Sequence, residues 1–67
     1  DNINISIYNI NGQLVKTLLN KKMLPGKYTA KWDGTNNTNQ IVEYGVYIYR
    51  LTLNEKTTDS GQIVFSK

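Results

Sequence analysis

The chain's only acidic side chains are Asp1, Asp33, Glu43, Glu55 and Asp59, and the 67 residues include neither histidine nor cysteine. General acid–base catalysis needs a titratable pair held against a substrate, and a nucleophile needs a base to activate it. The spacing of the five carboxylates places no such pair, so the residue types point away from an enzyme. Without histidine or cysteine there is no thiolate or imidazole zinc centre and no disulfide framework. The densest set of oxygen donors is Asp33, Asn36, Asn37 and Asn39. Such a loop could suit Ca²⁺, but only one of the four is charged and EF-hand spacing is absent. Local turns closed by Asx side chains account for the same composition. No metal and no cofactor are expected.

The aromatic residues are the other candidates for binding. Trp32 could act as a sugar-stacking platform, as in a carbohydrate-binding module. It alternates with Tyr28 and Ala30, however, and that pattern suits a core side chain better. Tyr47 and Tyr49 could form an aromatic strip, but they share their face with Leu51 and Leu53, which favours a core role with hydroxyls at the rim. Eight basic residues against five acidic give a net charge of +3. The lysines and the arginine are scattered, with Lys21-Lys22 the one adjacent pair. A nucleic-acid footprint would be clustered, so no nucleic-acid partner is expected. No stretch approaches the roughly 18–20 apolar residues of a membrane-spanning helix, so direct membrane insertion is not expected.

These residues sit on a series of short strands. Ile3, Ile5 and Ile7 alternate with Asn4, Ser6 and Tyr8, the period of a half-buried strand. Asn11-Gly12 tolerates the positive φ angles of a type I′ hairpin turn. The apolar residues of Gln13 to Leu19 alternate poorly, and periodicity alone also admits a short helix. The preceding hairpin signal favours a second strand there, followed by a loop from Asn20 to Pro25-Gly26. Tyr28, Ala30 and Trp32 predict a third strand, which Asp33-Gly34 ends. Thr35 to Gln40 reads as a polar loop. Ile41 to Leu53 is the densest apolar stretch, with Gly45 marking a bulge or bend within it. Tyr47, Tyr49, Leu51 and Leu53 fall on one face, and Val46, Ile48, Arg50 and Thr52 on the other. Asn54-Glu55-Lys56 makes a turn, and the last strand lies within Thr58 to Ser66. About five strands without a helix predict an all-β, antiparallel sandwich of one domain, with Ile5, Ile7, Tyr28, Trp32, Tyr47, Tyr49 and Leu51 buried. At this length folding buries only about 60% of the chain's surface, so stability is marginal.

The landmarks occur in a telling order. The run from Ile7 through Asn11-Gly12 to Leu18 comes first, then Pro25-Gly26-Lys27-Tyr28, Lys31-Trp32-Asp33-Gly34 and Gly45-Val46-Tyr47-Ile48-Tyr49-Arg50-Leu51, with a closing strand to Lys67. This series resembles the Ig-like domain of the flagellar hook-capping protein, and equally the C-terminal sorting domain of the type IX secretion system. The resemblance implies an immunoglobulin- or fibronectin-III-like sandwich over residues 1–67, the C-terminal part of a longer exported bacterial protein. It implies a non-catalytic module at the cell surface or in the medium. The first function implied is sorting or anchoring through the outer membrane. The second is structural assembly within an extracellular appendage. A carbohydrate-binding module comes third.

Under the resemblance the partners are secretion machinery or neighbouring domains and subunits of the parent protein. The recognition surface would be Gly45, Val46, Tyr47, Ile48 and Tyr49 with Ile63, Val64, Phe65 and Lys67. Gly12, Gly26, Trp32, Asp33 and Gly34 would define the fold. Members usually have a Gly where this chain has Asn39, a residue that also tolerates left-handed backbone. They also carry strands ahead of the position of Ile3. A fragment lacking them would leave an open edge, so residues 1–67 alone are expected to be poorly stable or self-associating.

Overall fold

A computed structural model describes residues 2–22 and 31–66 of the chain. Among them are four strands and no helix: β1 (Asn2–Tyr8), β2 (Leu14–Lys22), β3 (Gly45–Leu53) and β4 (Lys56–Phe65). All pair antiparallel in a single sheet of order β2-β1-β3-β4. The all-β reading therefore holds. The expected third strand falls mostly on residues outside the described set, as do Gly26, Tyr28 and Lys67. Lys31 and Trp32, which are described, lie outside any strand.

Period-2 alternation sets which side chains meet. β1 pairs Ile5 with Leu51 and Ile7 with Tyr49. β3 pairs Tyr47 with Ile63 and Gly45 with Phe65. Directly opposed residues share a face, so these apolar side chains line one inner surface. Ile7 at its centre is fully buried, and Ile3 and Tyr47 are buried. Ile5, Trp32, Tyr49 and Leu51 are half-buried instead of buried as expected. They line an apolar groove of about 300 Å³ together with Ile7 and Leu18.

The turns depart from expectation in instructive ways. The β1–β2 connection is not a type I′ turn. The Gly12 amide donates to the Asn9 carbonyl at 3.0 Å, and Gly12 alone in this turn has positive φ, at 81°. Asn9 decides the matter: its Oδ1 accepts from the Asn11 and Gln13 amides, which stiffens a longer loop. The two-residue turn occurs at Asn54-Glu55, where φ is 52° and 70° and Leu53 opposes Lys56. β4 therefore starts at Lys56, two residues earlier than expected. β2 also runs on to Lys22, because Asn2, Ile3 and Asn4 supply partners for Lys22, Lys21 and Asn20. Gly45 opens β3; it does not bend a longer strand. The residues before it belong to a connecting segment in which Ile41 forms an isolated bridge with Thr35.

Candidate functional site

The two segments singled out for recognition are brought together. Gly45, Val46 and Tyr47 of β3 lie directly opposite Phe65, Val64 and Ile63 of β4. Antiparallel pairing then divides them by face. Tyr47, Tyr49, Ile63 and Phe65 point to the inner side, and Val46, Ile48 and Val64 to the outer side.

On the inner side the aromatics form a cluster at the end of β3 and β4. Trp32 packs edge-on against Tyr47 with centroids 5.0 Å apart and planes at 64°. Its indole also meets Phe65 at 5.4 Å and 50°, and Tyr44 meets Phe65 at 5.2 Å and 64°. The indole nitrogen donates to the Thr35 carbonyl at 2.8 Å, and the Tyr47 hydroxyl donates to the Glu43 carbonyl at 2.6 Å. A sugar platform needs flat, exposed rings with free polar edges. The rings are steeply tilted, and the polar atoms of Trp32 and Tyr47 are engaged internally, so these two side chains serve packing.

Gly34 explains part of the fold-defining role assigned to its motif. It is buried, its φ is 81°, and a Cβ there would overlap the Phe65 ring. Asp33 closes the same turn, accepting from the Thr35 amide at 3.1 Å and from the Thr35 hydroxyl. That hydroxyl holds the exposed Asp33 carboxyl below the usual carboxylate range. It outweighs the opposing desolvation, and the Thr35 amide and Lys16 add to it.

The asparagine-rich loop uses its own oxygens. Asn36 Oδ1 accepts from the Thr38 and Gln40 amides and from the Thr38 hydroxyl. Asn39 takes left-handed backbone at φ 64°. In the middle of the loop sits an ammonium: Lys16 Nζ donates to Thr35 Oγ1, the Asn36 carbonyl and Asn39 Oδ1 at 3.2–3.3 Å. Among the described residues no three carboxylates, thiols or imidazoles gather to hold a metal ion. The chemistry of the loop is thus that of turns closed around a lysine.

On the outer face Tyr8 and Leu14, which sequence reading misses, join Val46, Ile48 and Val64, which it singles out. Tyr8 lies between Leu14 on β2 and Ile48 on β3, which extends the Val46–Val64 pair into one apolar strip. Val64 is 69% exposed, Leu14 52% and Val46 42%. Beyond the strip the face turns polar. Arg50 stacks over the Tyr8 ring at 5.1 Å, and Ser6, buried, donates to Asn4 Oδ1 at 2.7 Å. The alternation of Tyr8 with Ile7 carries the signal, but joining it to Val46 needs the register of three strands.

Comparison with known proteins gives one match. The family model of the FlgD Ig-like domain matches residues 1–63. No curated protein and no solved structure matches the chain.

Proposed function

Because the chain belongs to the FlgD Ig-like domain family, we propose that it is a non-catalytic structural module that helps to assemble an exported bacterial appendage, in the manner of a hook cap. The observation that carries this reading is the family match over nearly the whole chain. The outer strip adds to it: Leu14, Val46 and Val64 are exposed and Tyr8 and Ile48 half-buried between them, and a contiguous apolar patch on a small domain suits contact with a neighbouring protein surface. The partners proposed are neighbouring domains or subunits of the parent protein, and the location is outside the cell. A sorting or anchoring role is the reading that the sequence puts first, and no comparison supports it. Steeply tilted, internally bonded aromatics speak against the carbohydrate-binding reading.

The two leading readings separate in a deletion experiment. Removing residues 1–67 from the parent polypeptide in its own cells should leave export intact and abolish appendage assembly. Retention of the truncated protein inside the cell would instead favour sorting.

A further inference from the structure

Among the described residues the two edges of the sheet are β2 and β4, and β2 is already occupied along part of its length. The Asn37 amide donates to the Val15 carbonyl at 3.1 Å, and Asn37 Oδ1 accepts from the Thr17 amide at 3.0 Å. A carbonyl and the amide two residues on are the groups that a neighbouring antiparallel strand would bond. Asn37 therefore stands where a strand would stand. The loop that carries it is pinned to the same strand by Lys16, whose ammonium holds Thr35, Asn36 and Asn39. An unguarded edge is a template for pairing with another chain, and proteins commonly cover such edges.

We propose that residues 35–40 form a latch on β2, and that the occupant it excludes is β2 of a second copy of this chain. The charges admit that occupant. In the two-fold antiparallel register centred on Thr17, Val15 faces Leu19 of the second copy, Lys16 faces Leu18 and Lys21 faces Gln13. No lysine of β2 then opposes another, and the paired core, Leu14 to Leu19, is apolar but for Thr17 and Lys16. In the latched chain the Lys16 ammonium is drawn into the loop, so its charge guards the strand only indirectly. The inference rests on these hydrogen bonds and holds whether or not the assembly reading does.

The chain has no cysteine, so a single Thr17→Cys gives a specific probe. In the proposed register the two introduced thiols oppose each other with Cα atoms about 5.5 Å apart, within the range a disulfide spans. Asn37→Pro removes both latch bonds, since proline offers no amide hydrogen and no side-chain acceptor. Under mild oxidation Thr17→Cys/Asn37→Pro should yield about tenfold or more cross-linked dimer than Thr17→Cys alone, as losing two hydrogen bonds implies. If Asn37→Pro fails to fold, Asn37→Ala with Thr17→Cys replaces it, since it removes the side-chain acceptor of the latch and leaves every other residue of β2 unchanged. Equal cross-linking with and without the latch would overturn the proposal. A folded, unlatched variant that stays uncross-linked would overturn it too.

Discussion

The ring of Phe65, at the end of β4, lies directly over Gly34, in the turn that follows Trp32, so closely that no Cβ fits between them. One residue thus ties the last strand to the connecting segment. The left-handed φ of Gly34 adds a second reason for glycine. Gly34→Ala should cost about 2–4 kcal/mol, combining overpacking with backbone strain. Urea unfolding of the two proteins side by side measures the difference. A loss no larger than the about 1–2 kcal/mol of left-handed backbone alone would mean that Phe65 moves aside freely.

Trp32 is the chain's one tryptophan and bridges Tyr47 and Phe65. Trp32→Ala should cost about 3 kcal/mol, the low end for a large aromatic because the indole is only half-buried. Trp32→Phe should recover part of that loss. A thermal melt of the alanine variant within a few degrees of the parent's would refute the core assignment.

Both residues of the Asn54-Glu55 turn have positive φ, yet only asparagine suits that conformation. Glu55→Gly removes the strain of a side chain in left-handed backbone and should raise stability by about 0.5–1 kcal/mol. Chemical denaturation reads this directly, and a destabilised variant would show that Glu55 makes a compensating contribution.

Asp33 gives the loop a pH dependence. Its folded pKa is lowered, chiefly by the Thr35 hydroxyl, so its stabilisation is present above the unfolded value and is lost as pH falls through the lower folded one. Stability should therefore fall on acidification below about pH 4. Asp33→Asn should flatten that part of the profile. An unchanged acid limb in the asparagine variant would remove Asp33 as its source.

The inner face is legible in the amino-acid sequence itself. The isoleucines of β1 and the Tyr47-Tyr49-Leu51 series declare it by alternation alone, and the register places them together. Polar composition likewise announces the Asx turns of residues 33–40. What stays hidden is non-local. That Phe65 meets Gly34, or that Asn37 completes the edge of β2, depends on segments far apart in the chain, and alternation carries no information about which strands become neighbours. The type I′ expectation at Asn11-Gly12 fails for a local reason, because Asn9 organises the loop by accepting from two amides.

The assembly reading is tested most directly on the outer strip, where Val46 and Val64 oppose each other and both side chains are exposed. Val46→Glu/Val64→Glu places two charges there and leaves the aromatic cluster on the other face untouched. The measurement is the amount of assembled appendage and of exported parent protein in cells carrying the variant, after a melt has shown that the domain stays folded. The account predicts normal export with assembly strongly reduced. Normal assembly, or a protein held inside the cell, would contradict it.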